Sequence, residues 1–179
     1  MNGRNARREI ARLASAGVRR PEMYRTLCAA GANPHRAARL VASWPDPGRC
    51  AACRIHVWLV VLMACVQAVF ALFDGLAFGQ AFSPAAGWIL GGSALALGLL
   101  FALAFHRNQA GAYNAYLLMA LLQLPFQFAD AAQSPFSNGG VLVLNLALLI
   151  YVWWVRSLLF PDFGFLSPKR SDGNYVFRD

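Results

Sequence analysis

The sequence predicts an all-α integral membrane protein, a four-transmembrane-helix bundle with a small N-terminal cytoplasmic three-helix module. Three observations carry that expectation. The 179 residues are 58% hydrophobic and only 13% charged, with a mean hydropathy of +0.45, whereas soluble domains carry about a quarter charged residues. The charges are missing from stretches long enough to cross a bilayer. The net charge of +8 is gathered ahead of the first such stretch. There Arg4, Arg7, Arg8, Arg12, Arg19, Arg20, Arg25, Arg36, Arg39, Arg49 and Arg54 stand against Glu9, Glu22 and Asp46, and the rest of the chain sums to neutral. The same composition excludes disordered, collagenous and disulfide-scaffold proteins.

The basic segment, residues 1–48, reads as three short amphipathic helices. In the first, Ile10, Leu13, Ala14 and Gly17 make the apolar face, with Arg8, Arg12 and Ser15 opposite. The second opens at Pro21, presents Met23, Leu27 and Ala30 inward, and ends at Gly31. Asn33-Pro34 is a cap followed by a first-turn proline, opening a third helix with Ala37, Leu40, Val41 and Trp44 on one face before Pro45 and Pro47. A unit this small has a marginal core, so docking onto a membrane or a partner is expected to support it.

The stretch Ile10-x-x-Leu13-x-x-Ala16-Gly17-Val18, then Leu27, Gly31-x-Asn33-x-x-x-Ala37 and Leu40-Val41, resembles a UBA-like three-helix module. Such modules occur in eukaryotic ubiquitin-binding proteins and in bacterial elongation factor Ts. The turn that usually reads Met-Gly-Phe is Ala16-Gly17-Val18 here. The resemblance implies a compact protein-interaction module, with Val18, Met23, Tyr24, Leu40 and Trp44 as its candidate contact residues. A helix-turn-helix reading of the same residues leaves only His35, Arg36 and Arg39 to face a nucleic-acid groove. Retention of arginine on the cytoplasmic side already accounts for the charge, so nucleic acid is not the expected partner.

Residues 49–54 form a juxtamembrane linker with a Cys-x-x-Cys pair. Cys50, Cys53 and His56 follow a 3,3 spacing that on a helix presents two thiols and an imidazole to one side. Structural zinc takes four ligands, so Cys28, His35 or a second subunit would have to complete the set. Two other readings stand beside zinc: a thiol made reactive by flanking arginines, and two incidental cysteines at a helix start. No other cofactor is implied. In a reducing cytoplasm a disulfide framework is not expected.

Residues 55–160 hold the four spans, at 55–77, 85–105, 111–130 and 139–160. Each fits the ~20 residues a helix needs to cross about 30 Å of hydrocarbon, and helices are required because lipid satisfies no backbone polar group. Asp74 falls late in the first span. Phe78–Pro84, His106–Gln109 and Asp130–Asn138 read as the connections. The first apolar run begins only at Ile55, beyond the roughly 15–30 residues of a secretory signal, so the N-terminus is expected to be retained.

Basic residues set the orientation. Arg107 lies in the middle connection, and Arg156, Lys169, Arg170 and Arg178 lie at the end of the chain. The chain is therefore expected in the cytoplasmic (inner) membrane, with both termini and the tail, residues 161–179, in the cytoplasm. Trp58, Tyr113, Trp153 and Trp154 would then mark the inner interface and Trp88 the outer one.

Two features of the spans suggest chemistry. Gly87-x-x-x-Gly91, continued by Gly98, forms a small-residue ridge on the second span. It suits either an interface with another chain or packing within the bundle. On the third span Tyr113, Tyr116, Ala120, Gln123, Gln127 and Asp130 recur at spacings of 3 and 4 and so share one helix face. That face is expected to point into the bundle or a wet cavity, near Gln67, Asn145 and Asp74. Pro125 within it cannot donate to the Leu121 carbonyl.

No nucleotide loop, zinc-protease helix or nucleophile elbow is present. The expected function is that of a small non-enzymatic inner-membrane protein acting as an interaction, assembly or accessory subunit. Its expected partners are the lipid bilayer and a protein partner or a second copy of itself. Two alternatives are a small carrier or channel subunit using the polar face of the third span, and a membrane enzyme with Asp74 or Asp130 facing outward.

Overall fold

The computed structural model of the protein describes residues 3–165, 167–171 and 174–177. Met1, Asn2, Arg178 and Asp179, the outer ends of the expected module and tail, lie outside the described residues. Four short helices come first: α1 (Gly3–Ser15), α2 (Arg20–Ala29), α3 (Pro34–Ala42) and α4 (Pro47–Ala52). Four long ones follow: α5 (Arg54–Gln80), α6 (Pro84–His106), α7 (Ala110–Gln133) and α8 (Pro135–Leu159). The chain ends in a two-stranded antiparallel ribbon, β1 (Arg170–Ser171) and β2 (Asn174–Tyr175).

The short helices stop where the backbone needs a left-handed residue. Gly17 at φ 70° and Gly31 at φ 79° close α1 and α2, a conformation without steric cost only for glycine. The Asn33 side-chain oxygen accepts from the N–H groups of His35 and Arg36, capping α3. Ala6, Ile10 and Leu13 of α1, Met23 and Leu27 of α2, and Ala37 and Val41 of α3 form one buried cluster. The expected inward faces need two adjustments, since Gly17 and Ala30 are exposed. The linker expected at 49–54 is helical for most of its length. Asp46 caps α4 by accepting from the Arg49 N–H at 2.9 Å, and only Cys53 separates α4 from α5.

Among the described residues four helices are long and apolar enough to cross a membrane: α5, α6, α7 and, within α8, Gly139–Leu159. Large apolar side chains point outward along all of them, including Phe70 and Phe73, Ile89 and Leu100, Leu122 and Phe126, and Val143 and Ile150. In water so large an apolar surface would aggregate; against lipid it is the ordinary outer face. The chain is a multi-pass membrane protein.

The helices overrun the hydropathy-based limits. Helix α5 continues past Asp74 to Gln80, and only residues 81–83 separate it from α6. Ser134 alone separates α7 from α8, where a longer connection at Asp130–Asn138 was expected. Hydropathy marks where a chain leaves hydrocarbon, whereas a helix ends where something caps it. At α6 that is Ser83, whose hydroxyl accepts from the Ala86 N–H at 3.1 Å, followed by Pro84 in the first turn.

Helices α5 and α6 pack so closely that a Cβ on Gly79 would lie 2.5 Å from Gly87 Cα. One on Gly91 would lie 2.6 Å from the Leu72 carbonyl oxygen, and Gly98 abuts Ala68. The small-residue ridge therefore lies inside this hairpin rather than on a free surface. Because lipid is as apolar as leucine, such close backbone contact takes the place of the hydrophobic effect in holding membrane helices together.

The other hairpin joins the first at only one end. Val57, Val60, Ala64, Ala102, Phe105, Tyr113, Leu117, Leu148, Val152, Val155 and Leu159 form a core at the end nearest the short helices. From residue 118 to residue 147 no described residue is buried. Tyr113, expected at the lipid interface, sits fully inside this core against Phe105 at 4.7 Å. Phe160, Phe163 and Phe165 continue the core beneath the bundle, while the later tail turns back over α2 and α3.

Candidate functional site

The polar face of α7 divides into two parts. In its first half Tyr113 is fully buried, and the Tyr116 hydroxyl donates to Gln67 Oε1 on α5 at 2.8 Å. Gln67 thus pairs with Tyr116 and not with Gln123. Farther along, Asn145 of α8 donates to Gln127 Oε1 at 3.3 Å, within one hairpin. Gln123 and Asp130 are exposed, and the Gln123 side chain, near the middle of α7, has no hydrogen bond among the described residues. Asp74 is exposed on α5, in the other hairpin. The sequence spacing put the α7 members of this set on one helix face. It gave no sign that the hairpins part company halfway, because their separation depends on packing between distant segments.

The candidate metal set is not assembled. His56 turns toward α8, its Nδ1 lying 2.9 Å from the Tyr151 hydroxyl and its ring packing edge-on to Trp154 at 4.9 Å. Among the described residues no three His, Cys, Asp or Glu side chains gather to hold a metal. Cys53 breaks the helix between α4 and α5, so the 3,3 spacing does not run along one continuous helix face. Cys28, Cys50, Cys53 and Cys65 are free thiols. Burial pushes the Cys50 thiol up from its ordinary range, Asp46 and Cys53 push it further, and Arg20 opposes them. At Cys50 desolvation therefore outweighs the lowering by the nearby Arg20. The Tyr113 hydroxyl and Asn108 Oδ1 are buried without a hydrogen-bond partner among the described residues.

Polar contacts that the sequence did not suggest converge beneath the bundle. Arg20 of α2 reaches Asp162, just past α8, with Nη1 2.8 Å from Oδ2, and its Nη2 donates to the Trp44 carbonyl at 3.3 Å. Both side chains are buried, at 9% and 2% exposure. Arg156 is likewise buried. Its Nε donates to Asn114 Oδ1 of α7 at 2.6 Å, its Nη2 donates to the carbonyls of Phe163 and Gly164, and the guanidinium lies 5.4 Å from the Trp153 ring centre. These two arginines tie the short helices, α7, α8 and the tail into one body. In sequence they read only as markers of orientation.

The candidate contact residues of the module are placed unevenly. Met23 is buried in the module's own core, while Val18, Leu40 and Trp44 pack half-buried at its margin. Tyr24, also half-buried, meets the tail: its ring lies 5.7 Å from Tyr175 and 5.5 Å from Phe177. No family model matches the chain, and neither does any curated protein or any solved structure.

Proposed function

We propose that the protein is a non-enzymatic subunit of the inner membrane that assembles with a partner chain or with further copies of itself. In this reading its UBA-like short helices and both termini lie in the cytoplasm. The observation that carries it is the unburied half of the α7–α8 hairpin, with Gln123 exposed near the middle of a span. A carboxamide facing hydrocarbon is costly. A helix from another chain would cover the face and satisfy the amide, at roughly 0.6–2 kcal/mol per interhelical hydrogen bond. The arginine distribution supports the orientation, and the buried Arg20–Asp162 pair holds the short helices at a fixed attitude, as a recruiting platform requires.

Purification in mild detergent is expected to recover a stoichiometric partner or a defined oligomer. Deleting residues 1–48 and replacing Gln123 by Leu should each weaken that association. A monodisperse lone monomer would sink the proposal.

A carrier or channel reading draws support from the exposed Gln123 and Asp130. Against it stands the other end of the bundle, where Phe105, Tyr113 and Leu117 are fully packed. Solute flux in proteoliposomes that responds to Gln123→Leu and Asp130→Asn would favour it over assembly. The enzyme reading has least behind it, since Asp74 and Asp130 sit on different hairpins and no triad of acid, imidazole or thiol groups forms among the described residues.

A further inference from the structure

The tail makes a specific contact with the short helices. Tyr175 stands edge-on to Tyr24, and its hydroxyl lies 3.1 Å from Nδ1 of His35 on α3. Phe177 packs on Tyr24 from a second side, while Val176 between them is exposed. Alternation of this kind is what extended chain provides, with residues two apart sharing a face. Pro21, Tyr24 and Arg25 of α2, with Asn174, Tyr175 and Phe177 of the tail, line a recess of about 270 Å³.

The tail's ribbon does not hold itself in place: its strands are two residues each, too short to be stable alone, and Phe177 is only partly buried, at the edge of both the module's core and the core of the bundle.

We propose that the flank of α2 around Tyr24 is a docking surface for an extended peptide segment with aromatic side chains two residues apart. Tyr175 and Phe177 are the chain's own occupant, displaced when a partner segment of the same chemistry binds. This rests on reading the short helices as an interaction module and names what that module accepts. A tethered occupant competes at an effective concentration in the millimolar range, so a partner's apparent affinity falls by the fraction of time the surface is open.

The probe is a fluorescent synthetic peptide of residues 167–179, titrated into the detergent-purified full-length chain. The Tyr175→Ala/Phe177→Ala double variant is expected to bind it about tenfold more tightly than the unaltered chain does. Adding Tyr24→Ala should abolish binding, and a peptide lacking both aromatics should not bind. Equal binding by all forms, or none by a double variant that keeps its helical circular dichroism, would overturn the proposal.

A second measurement needs no variant. Isotope-labelled peptide in excess should speed hydrogen exchange in residues 174–177 of the unaltered chain several-fold if the tail is displaced; unchanged exchange at saturation counts against displacement. Peptide binding with no co-purifying partner would remove the assembly reading and leave the docking surface. A partner retained by a chain that binds no peptide would do the reverse.

Discussion

At the scale of single residues, the strongest internal constraint is the pairing of Arg20 with Asp162 across 142 positions of sequence. A buried ion pair loses hydration on both sides, and breaking it leaves one charge stranded. Asp162→Ala or Arg20→Ala should each lower stability by about 3–5 kcal/mol, read as a drop in the thermal midpoint in detergent. Replacing both by apolar residues of similar volume should recover most of that loss. If each single change costs no more than the double, the pair does not latch the two segments. Nothing in the sequence marked these two residues as partners. Arg20 is one of eleven arginines in residues 1–54, and the fold alone selects which of them is buried. By contrast, Asn33 and Gly31 were legible, because caps and left-handed residues are determined by neighbours a few positions away.

At the scale of elements, the number and character of the long helices could be read directly, since apolar length is a local property of the chain. The partner of the α6 ridge could not. Gly75 and Gly79 complete it from α5, and a Cβ on Gly75 would sit 2.7 Å from the backbone of Gly91. The clue was present as a second pair of glycines four apart, straddling the expected end of the first span at residue 77. Steric room now separates two neighbouring positions. Gly91→Leu should force α5 and α6 apart and cost at least the 1–3 kcal/mol typical of overpacking. Gly92→Ala, with nothing within 4 Å of its added methyl, should leave the melting temperature unchanged or raise it. A Gly91→Leu protein that melts like the parent would show that the close approach is dispensable.

At the scale of the whole molecule, an even number of spans returns the chain to the end from which it set out, and the contacts of the tail with α2 and α3 agree. Reporter tags fused before residue 1 and after residue 179 should therefore be reachable by protease from the same face of a sealed vesicle; on the orientation proposed above, that face is the cytoplasmic one. Accessibility from opposite faces would contradict the fold itself. The sequence could not convey that the two hairpins cohere at one end only, because the apolar positions of α7 and α8 look alike whether they meet protein or lipid. The far end has a consequence of its own. There the polypeptide reverses through residues 81–83 and through Ser134 alone, so both turns are short. A bulky protein arriving at that end would find two tight turns and no long loop to grasp, which favours sideways encounter, within the plane of the bilayer, as the approach to the far half.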